Sequence, residues 1–147
     1  MYRRILVPTD GSPLSRKAIR GAVELAAALG AEVVGVHIVP RYPMSYLEGA
    51  MGVMPADRDR IEREWGVHGQ ALADEVAKAA GKAGVAGKGV IVRSNLVAEA
   101  ILAAARKNRC DLIVMASHGR KGIKRLLLGS ETQHVLAHAT LPVLVLR

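Results

Sequence analysis

The chain has 147 residues, half of them hydrophobic, which is near the commonest size for one domain and enough to bury one sizeable core; one domain over 1–147 is expected. Its 21 Lys and Arg against 13 Asp and Glu give a formal net charge of +8, so an anionic partner is worth seeking. The single cysteine, Cys110, excludes an internal disulfide and a four-ligand cysteine zinc site, and no run of about 18 apolar residues is present to span a bilayer.

The N-terminal MYRRILVPTDG carries too short an apolar run for a signal peptide, so a soluble, cytoplasmic protein with no membrane partner is expected. Residues 3–8, RRILVP, read as a first strand closed by proline, and TDGSP follows as a turn. Ser12 suits an N-cap with Pro13 at the first helical position, and Leu14, Ala18, Ala22, Leu25 and Leu29 recur at helical spacing until Gly30. The β-branched run 31–39, AEVVGVHIV, reads as a buried parallel strand. Residues 41–56 hold two prolines and two glycines without a steady period and are assigned to a long loop.

A second helix follows with Ile61, Trp65, His68, Leu72, Val76 and Ala80 on its apolar face, fading into the glycine-rich 81–89. Strand three is VIV at 90–92, starting up to two residues earlier; Asn95 or Ser94 then caps a third helix with Val97, Ile101, Leu102 and Ala105 inward. LIVMA at 112–116 is strand four, Ser130 to about His138 the fourth helix, and PVLVLR at 142–147 the last strand.

Such alternation of strands and helices predicts a parallel sheet covered on both faces, because parallel strands need right-handed crossovers. Ligands bind such sheets at the carboxyl ends of the strands, at the switch point in strand order. The turn after strand one, the end of strand two and the loop after strand four should meet there. In that last loop Gly119, Gly122 and Gly129 expose backbone amides and Arg120 and Lys121 add charge, while Gly129-Ser130 opens a helix whose free N–H groups favour phosphate. Equally, Ser130 and Gln133 form an S-x-x-Q capping box, and the glycines serve turns only.

Four stretches carry a resemblance: ILVPTDGS at 5–12, GVHIV at 35–39, DLIVMASHGRKG at 111–122 and LLLGSETQHVLAHATLPVLVLR at 126–147. With their spacing, the chain resembles the universal stress protein family over essentially its whole length. That family's nucleotide-binding members show glycine, two residues, glycine, nine residues, then glycine followed by Ser or Thr. Gly119, Gly129 and Ser130 match the longer half, and Ala116 replaces the first glycine. The resemblance implies a Rossmann-like, adenine nucleotide alpha hydrolase-like three-layer sandwich, with a five-stranded parallel sheet in the order 3-2-1-4-5.

It further implies that Pro8, Thr9 and Asp10 lie along the adenosine of ATP, ADP or AMP and that the Ile38 backbone meets the adenine edge. Ala116, Ser117, His118, Gly119, Arg120, Lys121 and Gly122 would wrap ribose and phosphates, with Gly129, Ser130, Glu131 and Thr132 on the phosphates. A divalent Mg2+ or Mn2+ would ride on those phosphates, Asp10 being the one nearby carboxylate for the metal or its water; an Asx-turn at the start of helix one is its other role. Among the histidines, His118 is the candidate ligand contact and His37 a core histidine with a backbone partner; His134 and His138 lack a visible third ligand for a metal.

The implied role is a nucleotide-dependent stress or signalling protein, dimeric through its C-terminal strand, with a nucleotide-independent dimeric interaction module as the rival. No catalytic residues are assigned: G-x-x-x-x-G-K-[ST], Ser-His-Asp and Cys-His groupings are missing, which leaves only slow ATP hydrolysis open. The basic residues outside the loop read as solvated faces, and aromatics interleaved for base stacking are missing, which speaks against nucleic acid as a partner.

Overall fold

The computed structural model describes residues 1–43, 54–118 and 128–147. Among the described residues nine elements alternate: β1 (Arg4–Pro8), α1 (Pro13–Leu29), β2 (Glu32–Val39), α2 (Pro55–Lys82), β3 (Gly87–Arg93), α3 (Val97–Lys107), β4 (Leu112–Ala116), α4 (Ser130–His138) and β5 (Val143–Leu146). The strands form one parallel sheet in the order β3-β2-β1-β4-β5, as expected. The order reverses between β1 and β4, because the crossover from β1 runs to β2 and that from β4 runs to β5.

Strand residues alternate between two cores. Ile5, Val7, Val33, Leu112 and Val114 pack with Ile19, Ala22, Val23 and Ala26 of α1 and with Val76 and Ala80 of α2. Leu6, Val34, Val36, Ile113 and Met115 pack on the other face with Ala98, Ile101 and Leu102 of α3 and Val135 of α4. The register Ile5↔Val33 and Ile5↔Leu112 keeps the two sets on their own sides. Both faces are buried, so the strands read as continuous apolar runs.

The α1 terminus follows the sequence expectation: Ser12 Oγ accepts the Ser15 N–H at 3.1 Å, Pro13 opens the helix, and Gly30 closes it in the left-handed conformation. Elsewhere the structure corrects the sequence reading. Pro55 and Ala56 open α2 instead of closing a loop. The buried face of α2 is Gly66, Gly69, Leu72, Ala73, Val76 and Ala80; His68 is exposed, and Ile61 and Trp65 are half-buried. Close approach to the sheet is the cause, since a Cβ on Gly35 would lie 2.7 Å from the Ala73 carbonyl and one on Gly89 2.6 Å from the Ala73 carbonyl carbon. Glycine and alanine share that face with Leu72 and Val76, so an apolar count finds Leu72, Val76 and Ala80 but misses Gly66, Gly69 and Ala73.

β3 starts at Gly87, and β5 is confined to Val143–Leu146. Neither Ser94 nor Asn95 caps α3: Ser94 Oγ accepts the Leu96 N–H at 3.0 Å and Asn95 Oδ1 accepts the Arg41 N–H at 2.9 Å. The carboxylate of Glu131, on α4, accepts the Ala98 N–H at 2.9 Å instead. No capping box forms at α4, where Gly129 is the N-cap and Gln133 Nε2 donates to the Leu128 carbonyl at 2.7 Å.

Candidate functional site

The crevice is assembled from the carboxyl ends of β1, β2 and β4 and from the start of α4. Past the last β1 residue, the Thr9 N–H still donates to the Val36 carbonyl at 2.9 Å. Its own carbonyl accepts from His37 Nδ1 at 2.7 Å, which fixes the imidazole proton on Nδ1 and makes His37 a strut between β1 and β2. Gly11 then turns at φ 76°, and Asp10 Oδ1 accepts the Ser12 N–H at 2.9 Å, an Asx-type turn that leads into α1. Ser15 Oγ donates to the Ser12 carbonyl at 2.9 Å, so in its 3.3 Å contact with Thr9 the Thr9 hydroxyl is the donor. The Ser15 N–H at the start of α1 is thus capped by a side chain of its own segment.

β2 runs beyond β1: Pro8 pairs with Val36, whereas β2 continues through Val39. Even-numbered residues of β2 direct their peptide groups towards β1, as the bonds Glu32 N–H to Arg3 and Thr9 N–H to Val36 carbonyl demonstrate. The N–H and carbonyl of Ile38 therefore face the space past the end of β1.

On the other wall, the Ser117 N–H donates to the Leu146 carbonyl at 2.8 Å, and the Gly129 N–H donates to the Ser117 carbonyl at 2.8 Å. That second bond draws the two ends of the 118–128 connection together and sets Gly129 against His118. A Cβ on Gly129 would sit 3.2 Å from His118 Cα and 3.3 Å from His118 Cβ. Since φ −61° and ψ 152° suit any residue, glycine is needed here for proximity alone. Thr132, buried, donates its hydroxyl to the Ala116 carbonyl at 3.1 Å, and Glu131 holds α3, so both side chains serve the fold. No side chain of the N-cap residue covers the start of α4, in contrast to α1.

Ala116 lies in the extended β4 strand, and among the described residues only Arg109 is a non-glycine with positive φ. Alanine at this position carries no backbone strain. Ser117 is buried and its Oγ lies 3.1 Å from His118 Nδ1. Gly119, Arg120, Lys121 and Gly122 lie outside the described residues.

Pro8, Thr9, Asp10, Ile38, Ala116, Ser117, His118, Gly129, Ser130, Glu131 and Thr132 thus all belong to the rim around the switch point. Among the described residues no group of three or more His, Cys, Asp or Glu side chains could hold a metal ion. His134 and His138 face each other with ring centroids 4.4 Å apart, but His138 Nδ1 is bonded to the His134 carbonyl at 2.9 Å and His134 Nε2 lies 3.5 Å from Glu99. An open groove between α1 and α2, lined by Arg20, Glu24, Glu75 and Lys78 among others, contains none of the candidate residues. Its Glu75 is already paired with Arg16. One feature unseen in the sequence borders the crevice: the Tyr42 N–H donates to Glu62 at 3.0 Å and its ring stacks on Trp65, 6.1 Å between centroids, which ties the exit of β2 to α2.

These features define a doubly wound parallel α/β protein in which the carboxyl ends of β1 and β4 and a helix start whose N-cap is glycine meet at the switch point in strand order. The chain belongs to the universal stress protein family, whose model matches residues 1–147. It is 35% identical to the universal stress protein in the QAH/OAS sulfhydrylase 3'region of Thermus aquaticus, over the full length of both chains. Among solved structures it is similar to MJ0577 of Methanocaldococcus jannaschii, with a TM-score of 0.81 and 25% identity over 99% of this chain and 96% of that one. It is also similar to a universal stress protein solved in complex with cAMP, with a TM-score of 0.71 and 26% identity over 99% of this chain and 97% of that one. No helix among the described residues is long and apolar enough to cross a membrane.

Proposed function

We propose that this protein binds an adenine nucleotide, ATP or its relatives ADP and AMP, and acts in stress signalling in the cytoplasm as a nucleotide-dependent homodimer. The observation that carries the reading is the contrast between two helix starts at one switch point. Ser12 caps α1, while α4 begins at Gly129, which makes no side-chain cap bond among the described residues, so that a phosphate there would take the first-turn amides. The phosphates lie over Ser130, Glu131 and Thr132 through main-chain N–H groups, because the Glu131 and Thr132 side chains are engaged elsewhere. Pro8, Thr9 and Asp10 flank the adenosine, and the paired donor and acceptor of the Ile38 peptide suit the N1 and N6 edge of adenine. Gly119, Arg120, Lys121 and Gly122 complete the ribose and phosphate side, next to Ala116, Ser117 and His118. The similar fold of a family member solved with cAMP supports the ligand class.

A Mg2+ or Mn2+ ion fits this site only as a passenger on the phosphates. Asp10 already accepts the Ser12 N–H and no cluster of three or more His, Cys, Asp or Glu side chains lies among the described residues, so the ion would arrive with the nucleotide and neutralise phosphate charge. For the dimer, β5 is an edge strand with Leu144 40% exposed, and pairing with its two-fold mate would cover that edge. Calorimetry with ATP, in the presence and absence of Mg2+, alongside sedimentation of the unaltered protein and Leu144→Arg, tests both halves. Saturable binding and a dimer lost in the variant are expected; no heat at millimolar ATP, or a monomer throughout, would refute the corresponding half.

A further inference from the structure

At the end of the sheet opposite the crevice, three basic groups that are far apart in the chain come together. Arg3 and Arg4 open β1, Lys88 lies near the start of β3, and Arg106, Lys107 and Arg109 end α3 and lead into β4. Hydrogen bonds tie the start of β1 to the segment between α3 and β4. Arg4 Nη1 donates to the Asn108 carbonyl at 2.9 Å, and the Arg3 and Arg4 N–H groups donate to Asp111 at 2.9 and 3.0 Å. The register sets Lys88 opposite Val34, two residues along β2 from Glu32, the partner of Arg4, which places it near this end of the sheet.

The acids at this end are already engaged, Glu32 by Arg4 at 2.8 Å and Asp111 by the two backbone amides. Among the described residues, Arg3, Lys88, Arg106, Lys107 and Arg109 are exposed and have no ion pair. Helix-dipole complementation accounts for Arg106 and Lys107 in the last turn of α3. It does not account for Arg3 and Lys88, which are on strands or before them. Nor does it account for Arg109, held at φ 54° where glycine is the unstrained choice. Retaining a guanidinium at the cost of local strain is the pattern of a residue kept for contact with something outside the chain.

We propose that this face docks the phosphate backbone of double-stranded nucleic acid, without base specificity. Four of the six cations are arginines, whose planar fork matches phosphate oxygens. The lack of aromatics, which counts against single-stranded binding, is immaterial to a duplex gripped by its phosphates. A bilayer is the weaker fit, since Met1 and Leu29 are the large apolar side chains exposed at this end and no amphipathic helix accompanies them.

The test is fluorescence anisotropy with a labelled 20-base-pair duplex of mixed sequence over a series of salt concentrations. Five phosphate contacts at about 0.9 each predict a slope near −4.5 in log K against log salt, roughly a 500-fold loss between 50 and 200 mM. The variant Arg106→Gln/Lys107→Gln/Arg109→Gly should flatten that slope by about 2.7. Its melting temperature should be maintained, because glycine suits the backbone at 109. Arg20→Gln/Arg63→Gln/Lys78→Gln removes the same charge from exposed positions on α1 and α2 and should leave the slope unchanged. No duplex binding at 50 mM salt, or equal losses in both variants, overturns the proposal. So does binding by the unaltered protein to phosphatidylserine vesicles but not to duplex. ATP affinity, measured on the same proteins, should be unaffected, so failure here leaves the crevice reading standing.

Discussion

Substituting Gly129 by valine probes the phosphate wall at its tightest point. The new Cβ would lie 3.2 Å from His118 Cα and 3.3 Å from His118 Cβ, with two further methyls beyond it, so the junction of Ser117–His118 with α4 must spread. Overpacking of this kind costs about 1–3 kcal/mol of stability, and the loss is confined to one end of the sheet. Binding should lose more specifically. If spreading removes one or two charge-assisted bonds from α4 amides to phosphate at about 1.5–3 kcal/mol each, ATP affinity falls by roughly 10-fold to 20,000-fold. Adenosine has no phosphate and should bind as before. Calorimetric titration of both ligands into Gly129→Val, at a temperature where circular dichroism shows the protein folded, separates the two. Equal loss for adenosine and ATP, or no loss for either, would refute the placement of the phosphates at α4.

Ala116→Gly should hold or tighten ATP binding by removing a methyl from the wall, while costing about 0.5–1 kcal/mol of stability as a glycine within a strand; calorimetry and thermal melting read the two effects. Glu131→Ala should destabilise by about 1 kcal/mol in chemical denaturation, because Ala98 loses the carboxylate that receives its N–H, although the two helices are distant in sequence. Asp111 governs part of the acid limb of stability. Burial raises its pKa, but the Arg4 and Arg3 N–H groups outweigh that and hold it below the ordinary carboxylate value. A depressed carboxylate stabilises the fold above its unfolded pKa of about 3.9 and loses that contribution as pH falls through the folded value. Asp111→Asn should therefore lower stability by about 1 kcal/mol at pH 7 and by progressively less as the pH falls below the unfolded value of about 3.9, as followed by urea unfolding over that pH range.

The parallel sheet was legible because five apolar runs alternate with helical periods joined by parallel crossovers, whereas its order came with the family resemblance. The entry to α1 was legible because Ser12, Pro13 and Gly30 act on their own neighbours. What could not be read depends on partners far away in the chain. Glu131 replaces Ser94 and Asn95 at α3 across 33 residues. The α2 face is set by glycines on β2 and β3, so hydrophobicity favoured Trp65 and His68 where Gly66 and Gly69 pack. At the crevice, sequence spacing left the Ser130 helix start divided between a capping box and an anion site. Gly129 at the N-cap removes the first alternative. The extended backbone at Ala116 likewise removes strain as an objection to alanine in place of the motif glycine.

The most direct measurement is native mass spectrometry of the freshly purified protein, followed by calorimetric titration of the stripped chain with ATP. The crevice reading predicts co-purified adenine nucleotide at one per chain, and saturable ATP binding that adenosine competes for. A chain that carries no nucleotide and gives no heat at millimolar ATP, with or without Mg2+, would contradict it.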